Sequence, residues 1–290
     1  MDRLRAAVIG AGHMGRHHAR VYADLPGVEL AAIIDPSEPA NGLASKLRVQ
    51  WAPSVGAYRG PAVDVASVAV PTAEHHAVTM DLLDRGVHVL VEKPMAATAK
   101  EAREMASYAK SQGLVLHVGH IERFHPAMRA RYVADDPRVV EAHRFSVPSP
   151  RGSDVGVVLD MMVHDVDLVL HLIRSPVSEV TARSWGPRGG HEDSAHVELV
   201  FENGARAFLT ASRTADQRVR KMRVHSIHGP LVEVDFLDGG ELALHQEITA
   251  FVDAVNGEVS DRETSGPGGV YTMVVVERIL KEMSRESLAA

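Results

Sequence analysis

The run Arg5-Ala-Ala-Val-Ile leads directly into Gly10-Ala11-Gly12-His13-Met14-Gly15. The apolar run reads as a strand, and the segment from His13 to Leu25 reads as a helix, so the glycines sit at a strand–turn–helix junction. That context makes a common motif restrictive. Gly10 permits the tight turn, Gly12 lets the backbone approach a pyrophosphate, and Gly15 lets the helix pack closely on the strand. The phosphates then rest on the free N–H groups of the helix start. His13 and Met14 within the turn count with the glycines as cofactor-binding residues. The second strand ends at Asp35, 20 residues after Gly15. A carboxylate there accepts hydrogen bonds from the adenosine ribose and repels a 2′-phosphate, which favours NAD over NADP.

The next stretch keeps alternating. The segments VDVASVAV, VHVLVE and LVLHVG read as strands, and AEHHAVTMDLLDRG and TAKEAREMASYAKSQG as helices. Thr98 and Glu101 form a capping box at the start of the latter, and Gly113 ends it. Strand–helix alternation with almost continuously apolar strands predicts a doubly wound parallel sheet. Ligands of such sheets bind beyond the carboxyl ends of the strands. Pro71 and Thr72 mark one strand end, with His75 one helical turn further on; Glu92, Lys93 and Pro94 mark another, and Pro71, Thr72, His75, Glu92 and Lys93 are expected to contact the cofactor. A residue before proline is biased away from helix, so Lys93 stays out of the next helix and can project over the cofactor crevice.

From Val139 the period changes to that of strands. Asn203-Gly204 between two alternating runs signals a hairpin. The fold class is therefore α/β: a Rossmann domain over residues 1–120, then an α+β domain over 121–290 with an open, mainly antiparallel sheet. No flexible spacer separates them, so a shared interface is expected, with the substrate cleft along it.

The segment from Leu159 to His171, LDMMVHDVDLVLH, is apolar yet carries five titratable groups. At about 100° per residue, Asp160, His164, Asp167 and His171 fall within roughly 60° of one another on an α-helix, while Asp165 points elsewhere. A solvated face would use Lys, Glu and Arg, and this stripe has none. Carboxylate and imidazole are also metal ligands, but one straight helix would need further ligands from elsewhere, and no metal is expected.

Composition removes several classes. A net charge of -7 argues against a nucleic-acid partner. The absence of cysteine excludes disulfides, thiolate metal sites and a cysteine nucleophile. There is neither a signal-peptide core nor an apolar run near ~20 residues, so a cytoplasmic protein without a membrane span is expected.

The glycine motif followed by His18, Pro71-Thr72-x-x-His75, Glu92-Lys93-Pro94 and Asp160-x-x-x-His164-x-x-Asp167 together resemble the Gfo/Idh/MocA oxidoreductases over nearly the whole chain. The resemblance implies catalysis by Lys93, Asp160 and His164, and a C-terminal sheet that often forms a homo-oligomer interface. Within that family, Gly119-His120-Ile121-Glu122-Arg123-Phe124 resembles the form found in UDP-N-acetylglucosamine 3-dehydrogenases, whose 3-keto product feeds an aminotransferase and, in bacteria, lipid A. His120, Arg123 and Phe124 are the substrate-binding candidates this implies. Inositol or free-sugar oxidation, keto-sugar reduction and a non-enzymatic dinucleotide-binding regulator are the alternatives. In the implied reaction NAD accepts hydride, and His164 or Lys93 takes the hydroxyl proton.

Overall fold

The computed structural model describes residues 3–129, 136–148, 155–186, 191–258 and 266–289. It divides into two units: Met1–Gly119 with Leu244–Val270, and His120–Ala243 with Tyr271–Ala290.

The first unit alternates strand and helix as the apolar periodicity demands: β1 (Leu4–Ile9), α1 (His13–Asp24), β2 (Val28–Ile34), α2 (Glu38–Leu47), β3 (Gln50–Ala52), β4 (Val65–Val68), α3 (Thr72–Asp84), β5 (His88–Glu92), α4 (Ala99–Ser111) and β6 (Leu116–Gly119). The strands form one parallel sheet in the order β3-β2-β1-β4-β5-β6. That order reverses direction at β1/β4, the point where dinucleotides bind in folds of this kind. Ala6, Val8, Ile33, Val65, Leu90 and Val91 are fully or almost fully buried, because helices cover both faces of a parallel sheet. The α4 capping box forms as the spacing predicts. The Glu101 N–H donates to Thr98 Oγ1, and the Thr98 N–H donates to Glu101 Oε2.

Residues 244–270 complete this unit. Phe251 lies against His117, ring centroids 5.5 Å apart. Gly269 presses on Val118 and Met95 so closely that a Cβ would lie 2.5 Å from the valine side chain.

The second unit contains α5 (Pro126–Arg129), β7 (Pro137–Phe145), α6 (Val163–Ile173), β8 (Val177–Trp185), β9 (Ser194–Phe201), β10 (Arg206–Ser212), β11 (Val219–Ser226) and β12 (Val232–Asp235). Of the last two helices, α7 (Gly240–Val255) belongs to the first unit from Leu244 on and α8 (Gly266–Ala289) to the second from Tyr271 on. The sheet order is β12-β11-β7-β10-β9-β8. The described pairings are antiparallel except β7–β10, so the mainly antiparallel expectation holds. The hairpin at Asn203-Gly204 forms with a three-residue loop. Phe201 and Ala205 pair across it, the Ala205 N–H donates to Asn203 Oδ1, and Gly204 takes φ +82°. Its core joins alternate residues of the strands (Ala142, Val197, Leu209, Met222) to Val163, Val166 and Val169 of α6 and Val276 and Ile279 of α8.

One local element departs from expectation. The helix read from Leu159 onward begins as a π-helix over Val158–Met162 and becomes α-helical only at Val163. The wider π turn changes the angular step, so the 100° spacing that placed Asp160 in line with His164 does not apply at that end.

Candidate active site

In the first unit a cleft of about 580 Å³ opens at the carboxyl ends of the strands, lined among others by Gly10, Gly12, Asp35, Val70, Pro71 and Glu74. The three glycines differ in what requires them. Gly10 has φ +89° and its missing Cβ would lie 2.5 Å from the Ala69 carbonyl oxygen. A Cβ on Gly15 would lie 1.8 Å from the Gly10 carbonyl oxygen. These two are demanded by the fold. A Cβ on Gly12 would meet no protein atom within 4 Å, so protein packing does not require that glycine. Space kept open over the start of a helix is what a pyrophosphate needs. Asp35 stands at the end of β2 and accepts hydrogen bonds from the Ala11 N–H (2.7 Å) and from the Ser37 N–H (2.8 Å) and hydroxyl. Burial works against its charge, but these donors outweigh it and hold the carboxyl below its ordinary range. A carboxylate has about four acceptor positions, so a ribose hydroxyl can still bond to it. Gly10, Gly12, Gly15 and Asp35 together fit NAD. His13 is exposed and Met14 half-buried at the start of α1, and Thr72 begins α3.

A direct consequence concerns Gly12. Gly12→Ala is expected to leave the unfolding free energy within about 0.5 kcal/mol of wild type, since the new methyl touches no protein atom. It should weaken NADH binding by about tenfold or more. Thermal unfolding beside a fluorescence titration checks both halves.

Lys93 follows β5 and is half-buried. Its neighbour Glu92 is buried, with Oε1 2.9 Å from His18 Nε2 and Oε2 accepting the Lys93 N–H at 3.2 Å. Behind it, His18 Nδ1 lies 2.9 Å from Ser67 Oγ, which is 3.0 Å from the Tyr22 hydroxyl. Burial pushes the Glu92 carboxyl up, but His18 and Lys93 more than offset it and hold it below its ordinary range. A carboxylate only accepts, so His18 Nε2–H donates to Glu92, and the Ser67 hydroxyl stands between His18 Nδ1 and the Tyr22 hydroxyl, within hydrogen-bond distance of both. On the other side of Lys93, His75 is buried with Nδ1 2.9 Å from the Pro94 carbonyl oxygen and Nε2 2.9 Å from that of Val70. Burial pulls the His75 pKa down, against the carbonyls and Glu92, which favour its charge.

In the second unit the π-helix and α6 are pinned at three places. At the start, Glu192 accepts the Val157 N–H through its carbonyl (3.1 Å) and the Val158 N–H through its carboxylate (3.2 Å). Gly156 lets that carboxylate approach, since a Cβ there would sit 2.0 Å from it. In the first turn of α6, Asp165 accepts from Arg144 Nε (3.0 and 3.2 Å) and Nη2 (2.9 Å), while Arg144 Nη1 donates to Glu122 at 2.8 Å. Two residues on, Asp167 takes two 2.6 Å bonds from Arg123 and one of 3.1 Å from the Thr272 hydroxyl, with His120 Nε2 at 3.2 Å. Burial opposes the Asp167 charge, but His120 and Arg123 outweigh it and hold that carboxyl low. Asp165 goes the other way, because burial outweighs Arg144.

The polar helix is thus divided by role. Asp165 and Asp167 are buried and bound to arginines, whereas Asp160 and His164 are half-buried, as is His171. His120 and Arg123 are turned onto Asp167, and Phe124 is buried. Among the described residues no group of three or more His, Asp or Glu stands together as a metal site. Arg144 was absent from the sequence reading, although Val140, Ala142 and Arg144 share one parity along β7 and so one face of the sheet. Glu192 and Thr272 had no local signal at all.

Comparison with known proteins agrees with this geometry. The model of the oxidoreductase family with NAD-binding Rossmann fold matches residues 4–120, and that of the GFO/IDH/MocA C-terminal domain matches residues 117–232. UDP-N-acetylglucosamine 3-dehydrogenase of Acidithiobacillus ferrooxidans is 37% identical over 241 residues, 82% of this chain and 76% of that protein. A solved structure of that organism's enzyme, GnnA, superposes with a TM-score of 0.88 at 31% identity, covering 97% of this chain and 98% of that one. The NAD-dependent scyllo-inositol 2-dehydrogenase of Bacillus subtilis is 25% identical over 73% of this chain and 68% of its own length. The chain belongs to the GFO/IDH/MocA family of oxidoreductases, and its first unit is that family's NAD-binding Rossmann fold.

Proposed function

We propose that this chain oxidises the 3-hydroxyl of UDP-N-acetylglucosamine to the 3-keto sugar nucleotide, with NAD as oxidant. The observation that carries the reading is the likeness to the Acidithiobacillus ferrooxidans enzyme, at 37% identity over most of both chains. The roles follow from the chemistry of an alcohol oxidation. NAD, when bound, supplies the hydride acceptor. Lys93 donates a hydrogen bond to the reacting oxygen and stabilises the charge that develops there. His164 accepts the hydroxyl proton, a task suited to an imidazole near neutral pH. Asp160, in the preceding turn, orients His164 or holds a neighbouring sugar hydroxyl. Asp167 is occupied by Arg123 and Thr272 and anchors the helix.

The reading carries further expectations: a cytoplasmic enzyme, a homo-oligomer through the second sheet, and a product consumed by an aminotransferase in lipid A or cell-surface polysaccharide synthesis. Among the described residues no helix is long and apolar enough to cross a membrane. Incubation with NAD and a panel of UDP-sugars, inositols and free hexoses, followed by absorbance of reduced cofactor, tests the substrate. Turnover with UDP-N-acetylglucosamine and little with inositols is expected. The reverse preference would sink the assignment and move the chain to the inositol dehydrogenases. The assay is repeated with 2-oxoglutarate, to reveal turnover hidden by tightly held cofactor.

A further inference from the structure

His18 and His75 are two of the first unit's buried histidines, and neither is among the residues that line the nucleotide cleft. Both instead hold the residues on either side of Lys93. From one flank, His18 bonds the Glu92 side chain, whose other oxygen accepts the Lys93 N–H. That carboxylate is also fixed in space by β6, since a Cβ on Gly119 would lie 3.1 Å from Glu92 Oε2 and 3.2 Å from its Cα. From the other flank, His75 stands between the Pro94 and Val70 carbonyl oxygens, with Nδ1 and Nε2 each 2.9 Å away, and the clamp uses the tautomer whose one N–H, on Nδ1, donates to Pro94. We propose that His18 and His75 are positioning residues for Lys93: two buried imidazoles that clamp residues 92 and 94 and so fix where the ammonium between them sits.

The physical need is specific to lysine. Its charge rides on four rotatable carbons, so backbone freedom at residue 93 would be multiplied at Nζ. A misplacement of about 1 Å can cost on the order of 10²-fold in rate. Each clamp is anchored in regular structure. His18 is on α1 and is backed by Ser67 of β4 and Tyr22. His75 lies in the first turn of α3 and reaches carbonyls beyond two different strands. Carbonyl oxygens only accept, so it is the ring N–H of His75 that holds the turn, and shape alone does not replace it. This assigns His75 a role through Lys93 in place of contact with the cofactor.

The inference rests on the catalytic reading of Lys93, and the test separates the two. Turnover of UDP-N-acetylglucosamine, NADH affinity and unfolding midpoint are measured for His75→Phe, His75→Gln and Ser67→Ala, each alone and combined with Lys93→Ala. His75→Phe is expected to lower kcat about 10- to 100-fold while NADH affinity changes less than about threefold. His75→Gln, which restores one N–H donor, should recover part of the loss. Ser67→Ala removes one hydroxyl from behind His18 and is expected to lower kcat several-fold; it also serves if His75→Phe does not fold. On the Lys93→Ala background none of the three should lower the residual rate further, because they act through the lysine. Equal losses with and without Lys93, or normal kcat in His75→Phe and Ser67→Ala beside an inactive Lys93→Ala, overturns the positioning role alone. Near-normal turnover of Lys93→Ala overturns the catalytic reading and this role with it.

Discussion

Lys93→Ala and His164→Ala are each expected to lower turnover about 10²- to 10⁴-fold, the range that a positioned proton-transfer or charge-stabilising group contributes. NADH binding should survive in both, because Gly10, Gly12, Gly15 and Asp35 form the nucleotide cleft without them. The two variants should also fold. Both side chains are half-buried, so their truncation opens no large cavity in the core. Steady-state assay with UDP-N-acetylglucosamine, beside a fluorescence titration with NADH, separates catalysis from binding. If both variants keep turnover within a few-fold of wild type, the roles given to them are wrong whatever the substrate.

Arg144→Met is expected to act on stability with comparable force. Arg144 is 3% exposed in the middle of the second sheet and bonds two buried carboxylates, Asp165 and Glu122. Its removal leaves both without the guanidinium that compensates their burial. Breaking a buried pair in this way costs about 3–5 kcal/mol, which should appear as a fall in the denaturant midpoint. Arg144→Lys should recover only a fraction of the loss, because an ammonium cannot reproduce three bonds to Asp165 and one to Glu122 at once. Replacing Arg144, Asp165 and Glu122 together by apolar residues of similar volume should cost far less than the single change, since no charge is then left buried. A loss below about 1 kcal/mol for Arg144→Met would show that water already reaches the cluster.

The Arg144 cluster also shows where local reading ends. Alternation along β7 puts an arginine on the same face as Val140 and Ala142, but a period of two does not name a partner. Asp165 and Glu122, the partners, lie 21 and 22 residues away on different elements. Asp167 is a similar case. Helical spacing placed it on one stripe with Asp160, His164 and His171. Burial then separated it from Asp160 and His164, because Arg123 and Thr272 reach it from elsewhere in the second unit. The π-helix at Val158–Met162 was invisible for the same reason. It coincides with the Glu192 carboxylate seated against Gly156, 36 residues apart in the chain.

What the chain's sequence determined by itself was everything that adjacent residues decide. A glycine turn between strand and helix, an acid 20 residues on, a capping box and alternating apolar runs each act over a few residues, and each formed. Family membership was legible because its motifs lie at such junctions. The tertiary structure alone decided which charged groups meet, that residues 244–270 join the first unit, and that His18 and His75 turn inward beside Lys93. Periodicity encodes which face of an element is apolar. It does not encode the other element against which that face, or a charge upon it, comes to rest.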